Sequence, residues 1–440
     1  MIDADKFQKL LSNYKYADLR IENERETNTK ISDEEVKTYS GSSFGISVRV
    51  FANNSWGFAS SNSSSADVAS LLKHAESLAQ LQKGNIKIQL QKPVKITVKT
   101  SYSETPYEIQ VSQLNDAKKN MNGKNITNKI ASSSTRILKK EFFNSEGSEI
   151  FEEMSHTYIS YVAVAKDGEL IQRGHERASS IHGFDKINLY ELATNAKEKA
   201  ERILNAKLPP KGRFTVVLDN EMTGVFSHEA VGHACEADSI IDRESILSGK
   251  LGKTIGNELV TIVDDPTADD FGHFIYDDEG VKAEKAELVT NGILKSYMHS
   301  RESSAKLKLA LNGHARAEGY DSFPIVRMSN TYFSPGKTNV DDVFDIKYGI
   351  YLKGMKGGSV DIFSGGFMFK AEEAYEIKDG EKIQILRDVT LTGNILETMK
   401  NVELVAKDFK TNPGFCGKFG QSAPVSDGGP HVRVSNMMVG

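Results

Sequence analysis

The sequence predicts an α+β protein in which an N-terminal α/β layered region is followed by a strand-rich, glycine-rich C-terminal domain carrying an H-E-x-x-x-H helix. Three observations lead there. Helical and strand periodicities alternate as far as residue 207. The stretch Leu208-Pro209-Pro210-Lys211-Gly212 is the best linker, and beyond it strands and glycines dominate. Just after that linker, Ser227-His228-Glu229-Ala230-Val231-Gly232-His233 sets a carboxylate between two imidazoles. A chain of 440 residues exceeds one ordinary core, which predicts about two or three domains. The boundaries read as 1–83, an N-terminal α/β domain; 84–207, a central α/β segment packing with the first; and 208–440, a mainly β metal-binding catalytic domain.

In chain order, residues 5–11 read as a short amphipathic helix. Strands follow at 17–22, 44–50 and 55–59, with Asn53-Asn54 as the turn of a hairpin. In the helix predicted over 66–81, Val68, Leu71, Leu72, Ala75, Leu78 and Ala79 share one side. A break at Gln82-Lys83-Gly84-Asn85 opens the second segment. It holds a helix at 113–121, long strands at 126–151 and 157–171, and a helix at 189–204. Residues 214–219 form a short buried-type strand that delivers the chain into the histidine segment. Further on, Lys378-Asp379-Gly380-Glu381 marks a hairpin, and residues 354–367 place glycines on both sides of a strand. Those glycines fit bulges in a curved sheet, or close approach of an extended peptide, which singles out Gly357 and Gly358 as substrate-binding candidates.

Composition narrows the function. A formal net charge of -5 and 26% charged residues argue against a nucleic-acid partner or a membrane-surface protein. The first residues lack a signal-peptide pattern, and no apolar run approaches the ~20 residues that span a bilayer. Two cysteines, Cys235 and Cys416, cannot build a disulfide framework, so the predicted compartment is the cytoplasm.

The familiar zinc-protease signature spaces its histidines by four residues, so that they share a helix face while the glutamate acts on a metal-bound water. Here the spacing is five. At roughly 100° per residue an α-helix would leave His228 and His233 about 140° apart. The segment therefore needs a π-bulge or local unwinding near Gly232. Two histidines are too few for a catalytic zinc, which usually takes three protein ligands. The residues alone leave the third open among Cys235, Cys416, Glu236, Asp238, His273, His314 and His431. Cys235, two residues after His233, reads better as a buried small hydrophobe, and Lys418 favours a thiolate at Cys416. Arg316, Arg327 and His314 are candidates to stabilise an oxyanion. Two satisfied core histidines are the competing reading of the motif.

The segment His228-Glu229-Ala230-Val231-Gly232-His233, followed by Glu236 and Asp238, resembles the signature of the TldD/PmbA family of modulators of DNA gyrase, which are metallopeptidases. The resemblance continues through Asp277-Asp278-Glu279-Gly280, Arg327-Met328-Ser329-Asn330-Thr331-Tyr332, Gly357-Gly358 and Cys416-Gly417-Lys418-Phe419-Gly420-Gln421-Ser422. It is dense over the C-terminal half and loose over the N-terminal half. It implies Zn2+ held by His228, His233 and Cys416, with Glu229 as the catalytic base. Keeping all three ligands, the chain resembles the catalytic TldD type more than the PmbA type, which lacks them. The family further implies a homodimer or a heterodimer with a PmbA-type subunit, and an unfolded peptide or small protein as substrate. It strengthens Gly357 and Gly358, and with them Arg327, as substrate-binding residues. The expected function is a zinc metallopeptidase in which Glu229 activates a zinc-bound water. The alternative is a non-catalytic regulatory or scaffolding subunit with a structural metal.

Overall fold

The computed structural model describes residues 4–81 and 83–440; residues 1–3, at the start of the expected leaderless N-terminus, and Gln82, in the expected break, lie outside them. The first half of the chain contains α1 (Ala4–Leu11), β1 (Ala17–Ser32), β2 (Glu35–Ala52), β3 (Ser55–Ser61), α2 (Val68–Leu81), β4 (Lys95–Lys99), α3 (Tyr107–Lys118), β5 (Ile126–Asn144), β6 (Glu149–Asp167), β7 (Leu170–Ser180) and α4 (Leu189–Leu204). All seven strands join one sheet in the order β3-β2-β1-β5-β6-β4, with β7 also on β6. Every pairing is antiparallel except that of β4 with β6. The two expected α/β segments thus share a single sheet through the β1–β5 ladder. Helix α2 buries Val68, Leu72, Ala75 and Ala79 at one end of it. Helix α4 buries Ala193, Ala196, Ala200 and Leu204 over β6 and β7.

Two differences from the expected elements have physical causes. The β1–β2 hairpin runs on to Ser32 and Glu35, well past residues 22 and 44. Its outer part is mostly polar, with the β2 side chains largely in water and Ile31, Val36 and Tyr39 too scattered to alternate, so no hydrophobic pattern announces it. The long strand expected over 126–151 breaks instead at 145–148, where Gly147 takes φ 98° and Asn144 Oδ1 accepts from the Glu146 and Ser148 N–H groups at 3.1 and 3.0 Å.

The C-terminal half opens with β8 (Gly212–Leu218) and α5 (Asn220–Val225). Strand β8 pairs with Tyr348–Asp361 on one side and Val432–Val439 on the other. The strands Thr390–Asn394 and Gly366–Lys378 continue the sheet, and pairing of the latter with Tyr348–Asp361 closes it into a barrel. A second, six-stranded sheet contains Ile262–Asp264, Asn330–Phe333 and the hairpin Lys410–Lys418/Gln421–Gly429. One continuous apolar core runs between them, from Val216 and Phe367 of the barrel to Val231, Phe333 and Val425.

This arrangement corrects the expected fold class. The C-terminal domain is a strand-rich barrel with an accompanying sheet, and its metal-capable residues do not sit together on an H-E-x-x-x-H helix. They form a His/His/Cys triad, with the cysteine on a β-strand. The backbone at the motif is a π-helical stretch, Phe226–Gly232, followed by a 3-10 turn, His233–Cys235. Its i→i+5 bonding is what brings residues five apart onto one side, which a regular α-helix cannot do.

Buried ion pairs seat the N-terminal sheet on this domain. Arg49 joins Asp18 at 2.6 Å to Glu279 at 2.9 Å, Lys140 reaches Asp278 at 3.0 Å, and Arg301 reaches Glu146 at 2.9 Å. The Asp277-Asp278-Glu279-Gly280 segment is therefore a docking point between the two halves.

Candidate metal centre

Helix α5 begins at Asp219, whose Oδ1 accepts from the Met222 N–H at 2.8 Å and whose Oδ2 accepts from the Gly354 N–H at 3.0 Å. This ties the start of the helix, which runs on into the π-helical stretch, to the barrel. At Gly232 a Cβ would lie 2.1 Å from Met328 Sδ, so glycine lets the backbone close over the buried Met328 side chain. The two imidazoles end with ring centroids 5.2 Å apart and planes at 88°.

Cys416 arrives from the other direction. Its strand turns at Phe419-Gly420, both with positive φ, and pairs back so that Cys416 faces Ala423 across the ladder. Ligand atoms of His228, His233 and Cys416 then lie within 4.8 Å of one another, with Cys416 Sγ 3.6 Å from His233 Nε2. Burial opposes ionisation of the Cys416 thiol, but the adjoining His228 and His233 overcome it and bring the thiol down to about 5. A thiolate beside two imidazoles is a soft, electron-rich donor set, and it can coordinate a metal ion. The donor chemistry suits zinc in particular.

A layer of charge supports the triad. His233 Nδ1 lies 3.0 Å from Glu236 Oε2, and Lys418 Nζ lies 3.2 Å from Glu236 Oε2 and 2.6 Å from Asp238 Oδ2. Glu236 and Asp238, candidates for the third ligand by sequence, thus stand behind His233. Lys418 acts on the carboxylates and not directly on the thiol. A carboxylate holding the far nitrogen of a ligating imidazole fixes its orientation. Glu236→Gln is expected to weaken zinc binding by about 10- to 100-fold, measured by competition with a fluorescent chelator, with the fold unchanged by circular dichroism.

Glu229 is partly open to solvent, its side chain 40% exposed, and its Oε2 lies 3.8 Å from His233 Nε2. Arg327 is buried; Nη2 donates to the carbonyl of Cys416 and Nη1 to that of Gln421 at 3.3 Å, which braces the cysteine hairpin. Arg316 Nη1 donates to the Met328 carbonyl at 2.7 Å, and His314 Nε2 meets Asp264 at 3.1 Å. Gly357 and Gly358 lie on exposed backbone beside a bulge in the barrel strand, outside the triad. Cys235 is fully buried in the core, and both cysteines are free thiols. His273 and His431 also stay outside the triad. Asp427, which nothing in the sequence marks, reaches the same surroundings: burial lifts its carboxyl to about 7, against the pull of His228 and Arg177.

Comparison with known proteins agrees with this architecture. The family model for the PmbA/TldA metallopeptidase C-terminal domain matches residues 211–440, that for domain 1 matches 17–79, and that for the central domain matches 101–204. A metalloprotease of Methanothermobacter thermautotrophicus is 42% identical, covering 100% of this chain and 99% of the relative. A metalloprotease of Methanocaldococcus jannaschii is 41% identical over 99% of both. A zinc metalloprotease TldD homolog of Saccharolobus solfataricus is 32% identical over 97% of this chain and 96% of its own. Among solved structures, TldE from Thermococcus kodakarensis shares the fold at TM-score 0.78 and 19% identity, over 99% of this chain and 98% of that one. With three successive domains matched and full-length relatives above 40% identity, this chain belongs to the PmbA/TldD metallopeptidase family.

Proposed function

We propose that the chain is a zinc-dependent peptidase acting on unfolded or extended peptides, with His228, His233 and Cys416 as the metal ligands and Glu229 as the general base. The observation that carries this reading is the convergence of three metal-capable atoms within 4.8 Å beside a carboxylate that solvent can reach. When bound there, zinc would acidify a water to a pKa of about 7 and polarise the scissile carbonyl. Glu229 takes the proton of the attacking water and delivers it to the leaving amine. Glu236 and Lys418 hold His233 in orientation, and burial of His228 and Cys416 keeps bulk water from competing. The exposed strand around Gly357 and Gly358 is suited to pairing with an extended peptide. A second subunit, either another copy or a PmbA-type chain, belongs to the proposal; the shared fold with TldE supports it. The two free buried thiols agree with a reducing compartment such as the cytoplasm.

A second reading is a non-catalytic subunit whose metal is structural. The geometry of this chain taken alone favours it, because three ligand atoms gather while the nearest ion-pair distance of Glu229 is 3.8 Å, to a ligand imidazole. Family membership favours the catalytic reading. Metal stripping separates them. A catalytic metal predicts that chelation abolishes cleavage of an unstructured peptide, that zinc restores it, and that the melting temperature moves by only a few degrees. A structural metal predicts dissociation or a large fall in melting temperature, with no turnover to lose.

A further inference from the structure

The metal-capable side chains come from two elements that share neither a ladder nor a helix. His228 and His233 follow helix α5, and Cys416 sits on the strand Lys410–Lys418. Helix and hairpin approach closely at Gly224, where a Cβ would lie 2.5 Å from both Asp427 Oδ1 and Gly428 N. Contact of that kind sets how near the two elements lie. Metal–ligand distances must hold within about 0.2 Å, which calls for directional bonds as well.

Such bonds join the two elements on both sides of the ligands. Downstream, Lys418 of the strand reaches Glu236 at 3.2 Å and Asp238 at 2.6 Å. Upstream, the bridge is Arg177, on β7 of the N-terminal half. Its Nε donates to the Pro413 carbonyl at 2.9 Å, and its Nη2 donates to Oε1 of Glu221, in the first turn of α5, at 2.7 Å. The same Glu221 oxygen accepts from the Met355 N–H of the barrel at 3.2 Å. Pro413 can offer its carbonyl because its strand is the edge of the six-stranded sheet, and the N–H of its ladder partner Ser426 goes instead to the Ser329 carbonyl at 3.1 Å. Burial opposes charge on Glu221, but Arg177 and Lys199 outweigh it and hold the carboxyl below its usual range. With both side chains largely buried, the Arg177–Glu221 pair is shielded from the screening that weakens surface pairs.

A guanidinium is a rigid planar fork, so the two acceptors that Arg177 engages are held at one separation. On the reading of His228, His233 and Cys416 as the metal ligands, we infer that Arg177 is a positioning residue for the metal centre. From the N-terminal half it locks helix α5 to the cysteine-bearing strand, and so sets the spacing of the two histidines against the thiolate. The centre is then a joint product of both halves of the chain, although all three ligands belong to one.

The test titrates metal-free protein with cobalt(II), which takes the same nitrogen and sulfur donors as zinc, and follows the thiolate-to-cobalt charge-transfer band and the visible ligand-field bands. Wild-type protein is expected to take up about one ion per chain with the thiolate band present. Arg177→Ala is expected to bind cobalt about tenfold more weakly, with the ligand-field bands shifted, because the ligands no longer keep one geometry. A side chain that only supported the fold would lower the melting temperature and leave the affinity and spectrum of the folded variant unchanged. Arg177→Lys is measured beside it, since it keeps the stem and the charge should the alanine variant fail to fold. Its ammonium lacks the fork, and the same weakening is expected. Wild-type affinity and bands in folded Arg177→Ala, or in Arg177→Lys where the alanine variant does not fold, would overturn the positioning role and leave the ligand set standing. Absence of the thiolate band from the wild-type titration removes Cys416 from the ligand set, and the positioning role with it.

Discussion

Glu229→Ala is expected to lower peptide hydrolysis by about a hundred- to ten-thousand-fold while zinc stays bound at about one ion per chain. The expectation follows from the division of labour at the centre. The metal-capable atoms belong to His228, His233 and Cys416, and Glu229 is not among them, so in the proposed mechanism its removal takes away a proton acceptor and no ligand. Its side chain is 40% exposed, and truncation to alanine opens no cavity in the core. Zinc content by plasma emission spectrometry, beside initial rates on an unstructured fluorogenic peptide, gives both readouts from one preparation. A variant that cleaves at the wild-type rate would remove Glu229 from the mechanism and leave the structural-metal reading ahead.

Cys416→Ala should fail differently. Two imidazoles remain, without the thiolate that draws a soft divalent ion into the site. After dialysis against a weak chelator, zinc is expected to fall from about one ion per chain to near zero, and hydrolysis with it. The hairpin itself should persist, because Arg327 braces it through main-chain carbonyls that the substitution does not touch. Metal retention at the wild-type level in Cys416→Ala would move the third ligand elsewhere. The two variants together separate loss of a base from loss of an ion.

Much of the architecture follows from local signals. Helix α4 coincides with the predicted 189–204, and Asn188 and Glu191 bond reciprocally at its start. The Asn53-Asn54 turn is left-handed at both residues, at φ 51° and 55°, as a tight hairpin requires. What escaped had no local signature. The outer β1–β2 hairpin is mostly polar, and its first strand is held by cross-strand bonding to β5, far along the chain. At the centre, the five-residue spacing announced a departure from α-helical geometry, and the π-helical stretch meets it. The third metal-capable residue could not be reached by spacing, because sheet pairing, not sequence proximity, sets Cys416 beside His233. Glu236 illustrates a further limit: composition marks it as a metal-capable side chain, and only geometry shows that it faces the back of an imidazole.

The separation of that last pair also bears on how the protein is made. Cys416 and His233 are 183 residues apart. At about 5–20 residues per second, a ribosome needs roughly ten to forty seconds to travel between their codons. Throughout that interval the nascent chain carries both histidines and the glutamate but cannot assemble the His/His/Cys triad. Any hydrolytic power that depends on the complete triad is withheld from a half-made chain, whose unfolded segments would otherwise be the nearest substrate.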